Sequence, residues 1–236
     1  MQLGPVRFAV DARSQAARRP FEQRLIVRET AFGRDRAVSE ERIQLLYAEL
    51  AADERRNHLI LEDVRSALVA GRSPILLTER KDHLELLVAG LQSAARHVIA
   101  LRGGMTSTER RAAAATLASI PDGESRLLIA TGRYIGEGFD HARLDTLFLT
   151  MPVSWKGTLV QYAGRLHRLH PGKTEVRIYD YVDRDVPMLA RMFKKRLRGY
   201  RAIGYDRDSG SGTQPRREVD NALDTRDLAE ASDGDE

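Results

Sequence analysis

Cysteine is absent from the 236 residues, so neither a disulfide framework nor a thiolate metal site is possible. No apolar run approaches the roughly 18 residues that a membrane-crossing helix needs. Residues 1–15, MQLGPVRFAVDARSQ, lack the apolar core of a secretory signal peptide. These absences predict a soluble, cytoplasmic protein with no membrane partner. His167 and His170 have no acidic residues beside them at ligand spacing, so no metal site is predicted.

The charge of the chain is unevenly distributed. Ten acidic and four basic residues give residues 206–236 a net charge of −6, and the total is +4, so residues 1–205 carry +10. A basic body favours an anionic partner such as nucleic acid. An arginine-rich composition without such a partner explains the same charge equally well.

Composition divides the chain into three parts. Residues 1–36 contain eight arginines and two short stretches with strand-like character, one of them Leu25 to Val27, and are interpreted as an arm or connector. Residues 37–205 form the predicted domain. Residues 206–236 are rich in Asp, Ser and Gly and have too few large aliphatic side chains to offset the entropy of ordering. They are predicted to be a disordered acidic tail.

Apolar runs and amphipathic segments alternate along residues 37–205. Helical periodicity begins behind Ser39, a candidate N-cap. The predicted strands are Ile75–Thr78, His97–Leu101, Leu127–Thr131, Thr146–Thr150 and Glu175–Val182, with helices between them and a last helix over Val186–Ala202. This order predicts an α/β fold with a mostly parallel sheet and helices on both faces.

Several predicted loops follow strands of this sheet. Ligands of open parallel sheets bind outside the carboxyl ends of the strands, so these loops should converge on one edge. They begin at Thr78, Arg102-Gly103-Gly104, Thr131-Gly132 and Met151-Pro152. The glycines allow a ligand to approach the backbone, although each one taken singly is explained as well by a simple turn.

The sharper pattern is Gln161-x-x-Gly164-Arg165-x-x-Arg168. On a helix, Gln161, Arg165 and Arg168 share one face, and Gly164 would weaken that helix by about 1 kcal/mol relative to alanine. Guanidinium groups hold phosphate in a bidentate manner and stay charged. The pattern predicts an anion site to which both arginines point from the carboxyl edge of the sheet. The alternative is a solvated basic helix face.

Two stretches resemble motifs V and VI of superfamily 2 helicases: ATGRYIGEGFD at residues 130–140 and QYAGRLHR at residues 161–168. Upstream, PILLTERKDHLELL is similar to motif IV, and LRGGMTSTERRAAAATL to another motif of this family. The resemblance covers Ser73 to Asp183 and is strongest to the branch of type III restriction and DNA-repair translocases. It implies the second RecA-like domain of a helicase motor, a P-loop NTPase fold that lacks its own P-loop.

The resemblance implies ATP as the cofactor, bound on a partner domain. Arg165 and Arg168 would stabilise charge on the transferring phosphoryl group, and Gln161 would position the γ-phosphate or its water. The remaining positions on the nucleotide side would be Gly138, Asp140 and Gly164.

The resemblance also implies a nucleic-acid partner, with DNA favoured over RNA. Contacts to the phosphate backbone would be independent of sequence and sensitive to salt. The positions implied are Thr78, Arg80, Gly103, Gly104, Thr131 and Gly132.

The first half of such a motor has no counterpart in the sequence. Gly172-Lys173-Thr174 is the chain's Gly-Lys-Thr triplet, but the first glycine of a G-x-x-x-x-G-K-[ST] loop would have to stand at His167. The chain therefore resembles half a motor that needs a first RecA-like domain, which would also hold Mg²⁺. One alternative is a non-catalytic module that binds nucleic acid or regulates a full-length motor. Another is an ordinary nucleotide-binding domain with its own affinity for ATP.

Overall fold

The structure is a computed structural model that describes residues 19–33, 43–132, 141–153 and 156–207. Within these ranges the strands are β1 (Glu22–Glu29), β2 (Pro74–Thr78), β3 (His97–Leu101), β4 (Arg126–Thr131), β5 (Thr146–Leu149), β6 (Glu175–Val182) and β7 (Asp206–Arg207). The helices are α1 (Ile43–Ala52), α2 (Glu54–Val69), α3 (Lys81–Leu91), α4 (Ser107–Ser119), α5 (Lys156–Leu166) and α6 (Pro187–Ala202). The predicted N-cap Ser39 lies outside the described residues.

The strands form a single sheet in the order β3-β4-β2-β5-β6-β1-β7. Every pair in it is parallel. All residues of β2, β4 and β5 are buried, as expected of central strands covered on both sides. The predicted parallel sheet is therefore confirmed.

Helices cover both faces of this sheet. On one face, Leu117 of α4, Leu159 of α5 and Tyr200 of α6 pack in one core with Ile75 and Leu128. On the other face, α2 and α3 contribute their own buried residues, among them Ile60 and Leu87, to a core with Leu76 and Phe148 of the sheet. The predicted two-faced α/β architecture is confirmed.

Two segments that were predicted to lie outside the domain contribute strands to the sheet. Residues 22–29 of the predicted arm pair in register with β6, and Leu25 is completely buried. Residues 206 and 207 of the predicted tail pair with β1. Without these strands β6 would present an unpaired edge of backbone donors and acceptors. The strand expected around Leu25 to Val27 is confirmed, and it belongs to the domain. Residues 208–236 lie outside the described residues.

Two buried ion pairs stabilise the carboxyl end of β6. The Asp180 carboxylate accepts hydrogen bonds from Arg196 Nε at 2.7 Å, Arg196 Nη2 at 2.8 Å and the Tyr200 hydroxyl at 2.7 Å. Asp183 accepts from Arg56 Nε at 3.0 Å, and the same guanidinium donates to the Thr150 carbonyl at 2.7 Å. These contacts join α2 and α6 to the sheet from opposite faces.

Candidate nucleotide and nucleic-acid surfaces

The loops after β2, β3 and β4 converge at the carboxyl edge, as the sequence predicts. Thr78 and Thr131 are register partners on adjacent strands. The Thr131 hydroxyl accepts a hydrogen bond of 2.9 Å from the Gly103 amide, which joins the loop after β3 to the end of β4. Gly104 has a φ of +88°, a conformation that L side chains rarely adopt. Backbone from two loops is therefore fixed at this edge.

Thr78 is a core residue, in contrast to its predicted contact with nucleic acid. Its side chain is buried, and its hydroxyl lies 3.0 Å from Nδ1 of the buried His83. His83 Nε2 lies 2.9 Å from Asn57 Oδ1, which can only accept, so Nε2 carries the proton and the Thr78 hydroxyl donates to Nδ1. Since this hydroxyl is engaged internally, Arg80 is the predicted contact residue on this loop that still reaches the surface.

Arg80 lies on the surface beside an acidic neighbour. Its guanidinium donates to Asp82 at 2.6 Å and 3.0 Å, and the Arg80 side chain is 28% exposed. An exposed pair of this kind is worth at most about 1 kcal/mol, so a phosphate can compete for the guanidinium. Arg80 is thus compatible with its predicted role.

Gly132 is required by the protein's own packing. A Cβ atom at this position would lie 2.5 Å from both Glu79 Oε1 and the Tyr162 hydroxyl oxygen. Tyr162 belongs to α5, and burial, followed by the charge of Glu79, raises the pKa of its hydroxyl to about 12. The glycine was predicted to admit a ligand, but the close approach comes from a side chain of α5.

Gln161, Arg165 and Arg168 lie on one surface, as predicted, although α5 ends at Leu166 and Arg168 follows in the turn beyond it. Gln161, Gly164 and Arg168 are exposed, and Arg165 is half-buried. Together with Val160 and His167 they line an open depression of about 380 Å³. A Cβ atom at Gly164 would meet nothing within 4 Å, so the backbone there is accessible from outside.

The position of this face contradicts one expectation. The Lys173 amine contacts the carbonyls of Leu166 and Arg168, and it also contacts those of Ala142 and Leu144, which precede β5. The carboxyl end of α5 therefore lies at the amino edge of the strands, opposite Thr131. A helix that connects two parallel strands runs back across the sheet, so a motif at its end must reach the edge where the next strand begins. The prediction that the two arginines lie at the carboxyl edge of the sheet, together with Thr78 and Thr131, is therefore wrong.

His167 anchors the turn that carries Arg168. Its ring stacks against Phe21, with centroids 6.2 Å apart, and against Tyr205, with centroids 5.7 Å apart. Nε2 lies 2.9 Å from the Tyr205 hydroxyl and 3.4 Å from Arg19 Nη1. A guanidinium only donates, so Nε2 is an acceptor and the ring is neutral. The sequence contained no signal for this role, because Phe21 and Tyr205 are far from His167 along the chain.

Acidification is expected to destabilise the fold through two histidines. Burial, followed by the charge of Arg56, lowers the pKa of His83 to about 3, and burial with the charge of Arg19 lowers the pKa of His167 to about 3. The unfolded state binds a proton near pH 6.5 and the native state does not, so stability falls as the pH drops from about 6.5 towards 3. The loss between pH 7 and 5 is at most about 2 kcal/mol for each histidine.

Urea unfolding at pH 7 and pH 5 measures this loss. A His167→Gln variant should lose less stability between the two pH values than the wild-type chain does. An identical pH dependence in the two proteins would contradict the role of His167.

Two predicted positions on the nucleotide side, Gly138 and Asp140, lie outside the described residues. Ala142, two residues after Asp140 in the sequence, lines a second depression with His167, Arg168 and Leu169. Across the described ranges there is no group of three or more residues able to hold a metal ion. The helices described here include none both long and apolar enough to cross a membrane.

Comparison with known families identifies the domain. The model described as "Helicase conserved C-terminal domain" matches residues 41–170, which is more than half of the chain. The chain belongs to this family. The matched range of this helicase C-terminal domain includes β2 to β5 and the whole of α5, with both arginines.

Solved structures show the same fold. The domain is similar to T4 UvsW, with 17% identity, a TM-score of 0.64, and coverage of 80% of this chain and 41% of that one. It is also similar to S. cerevisiae Dbp5 bound to RNA and ADP BeF3, with 18% identity, a TM-score of 0.52, and coverage of 84% and 42%. Its identity to Mss116p DEAD-box helicase domain 2 bound to an RNA duplex is 12%, with a TM-score of 0.53, and the similarity covers 83% of this chain and 66% of that one. The helicase C-terminal domain thus spans less than half of UvsW and Dbp5.

A curated relative shares a shorter region. Uncharacterized protein 108L of Invertebrate iridescent virus 3 is 39% identical over 84 residues, which are 35% of this chain and 75% of the viral protein.

Proposed function

We propose that this helicase C-terminal domain is the second half of an ATP-dependent helicase or translocase. The observation that carries the proposal is the position of Arg165 and Arg168. Arg165 lies in the last turn of α5 and Arg168 in the turn that follows, and both line an open depression at the surface together with Gln161. An anion held by another domain can reach this surface without any rearrangement of the sheet.

The chemistry of phosphoryl transfer suits these side chains. Negative charge develops on the oxygens of the transferring group, and a guanidinium delivered from a second domain stabilises that charge. In the proposed motor, a first RecA-like domain holds ATP and Mg²⁺, and Arg165 and Arg168 complete the site when the two domains close. Gln161 is proposed to orient the γ-phosphate or the attacking water.

Nucleic acid is proposed to bind at the opposite edge of the sheet. Arg80 supplies a cation there, and the loop after β3 presents exposed backbone at Gly104. Backbone and guanidinium groups recognise phosphates rather than bases. We favour DNA as the partner. Because the structures of Dbp5 and Mss116p contain RNA, binding of RNA should be measured beside binding of DNA.

Reconstitution tests the proposal. The chain alone is expected to hydrolyse no ATP, whereas the chain joined at its amino terminus to a first RecA-like domain with an intact phosphate loop should show turnover stimulated by DNA or RNA. Turnover by the chain alone that is unchanged by Arg168→Ala would contradict the proposal. Salt-sensitive nucleic-acid binding with no turnover in the joined protein would favour the non-catalytic module instead.

A further inference from the structure

Lys173 belongs to the Gly-Lys-Thr triplet, and its amine is engaged by the main chain. Nζ lies 2.5 Å from the Ala142 carbonyl oxygen, 2.7 Å from that of Leu144, 2.8 Å from that of Arg168 and 3.1 Å from that of Leu166. An ammonium group has three protons, so one proton is shared between two of these acceptors. The amine is therefore fully occupied within the protein.

These carbonyls belong to two separate segments. Leu166 is the last residue of α5, Arg168 lies in the turn that follows, and a helix leaves its last carbonyls without partners unless a side chain supplies donors. Ala142 and Leu144 lead from the motif that contains Asp140 into β5. A cation at the carboxyl end of a helix also opposes the partial negative charge there. One side chain thus joins the turn after α5 to the residues that follow Asp140 in the sequence.

A tight turn places the amine. Gly172 has a φ of +79°, and the Lys173 amide donates to the His170 carbonyl at 3.1 Å. The turn sends the chain back under the end of α5 towards β6. Glycine is needed here for its backbone conformation, which explains the Gly-Lys pair without a phosphate loop.

The amine remains protonated at neutral pH. Burial lowers the pKa of Lys173 to about 8, while the charge of Asp145 raises it and that of Arg72 lowers it. Asp145 and Arg72, whose charged groups lie 3.4 Å apart, both act electrostatically on the amine. At pH 7 all three ammonium donors are therefore available to the carbonyls.

We propose that Lys173 is a positioning residue that holds the Arg168 turn against residues 142–144, so that the depression lined by Ala142 and Arg168 keeps one geometry. Its functional consequence rests on the proposed function. Its structural consequence can be measured without nucleotide.

Hydrogen exchange of the full chain at pH 7 tests the structural part. In Lys173→Met, amides of residues 141–145 and 166–169 should lose protection by about tenfold or more, because hydrogen bonds from a charged donor are lost. Lys195→Met, which removes an exposed amine from α6, is the matched control and should change nothing in these segments. Lys173→Arg retains the charge but replaces a compact donor by a planar fork, so it should lose part of the protection and remain folded. Unchanged exchange in both Lys173 variants would overturn the proposal.

Turnover of the joined two-domain protein tests the functional part. Lys173→Met should lower kcat more than it raises KM for ATP, and in an Arg168→Ala background it should lower kcat little further, because both changes act on one arrangement. An undiminished kcat in a Lys173→Met protein with altered exchange would refute the positioning role. Absence of turnover in the wild-type joined protein would reject the proposed function and leave the exchange result as the test of Lys173.

Discussion

Replacing Arg168 by alanine in a two-domain motor built from this chain is expected to lower ATP turnover by about 10³-fold or more. Arg165→Ala should have an effect of similar size. Both side chains line the depression that also includes Gln161. A guanidinium that stabilises charge only in the transition state affects kcat, so the affinity for nucleotide should change little.

Steady-state kinetics together with nucleotide binding measures this effect. Arg198→Ala is the matched control, because Arg198 is exposed on α6 and does not line the depression, and its loss removes the same charge from the domain. Arg168→Lys should remain impaired, since an ammonium cannot form the bidentate contact. Loss of binding and turnover to the same extent would show that Arg168 holds the ground state and would remove its transition-state role.

Replacing Asp180 by asparagine is expected to lower the free energy of unfolding by about 3–5 kcal/mol. The Asp180 and Arg196 side chains are 2% and 4% exposed, and Tyr200 donates to the same carboxylate. The variant leaves the Arg196 guanidinium buried without its counter-charge. A loss of this size is a large fraction of the 5–15 kcal/mol that stabilises a typical domain.

The urea midpoint of unfolding measures the loss. Asp82→Asn, which breaks the exposed pair with Arg80, should cost at most about 1 kcal/mol and serves as the control. Asp180→Leu combined with Arg196→Met should recover much of the stability, because no charge is then buried without a partner. Equal losses for Asp180→Asn and Asp82→Asn would show that the buried pair contributes little.

The parts of the fold predicted best are those with strong local signals. The centres of β2, β4 and β5, at residues 75–77, 127–130 and 147–149, are continuous apolar runs, and this pattern is typical of central parallel strands. β7 has only two residues, which is too short for a hydrophobic periodicity that would predict a strand. β1 was recognised as a possible strand, but its place beside β6 depends on pairing between distant segments.

The candidate site was predicted in its residues better than in its arrangement. The shared face of Gln161 and Arg165 follows from helical geometry, whereas Arg168 lies beyond the end of α5 and reaches the same depression through the turn after it. Their edge of the sheet was predicted wrongly, although the direction of a helix between parallel strands could have corrected it. The buried position of Thr78 depends on His83 and Asn57, and the role of Lys173 depends on four main-chain carbonyls. Contacts of this kind leave no periodic pattern in a sequence.

The stacking of His167 on Phe21 and on Tyr205 affects which fragment of the chain should be chosen for expression. The range matched by the family, residues 41–170, excludes both aromatic partners and the strands that carry them into place. An expression clone trimmed to that range would leave the imidazole uncovered and β5 without its neighbour β6. An expression clone that retains residues 19–207 keeps the aromatic partners of His167 and the pairing of β5 with β6. Fragments of related proteins should therefore include the outer strands of the sheet, even where sequence similarity ends before them.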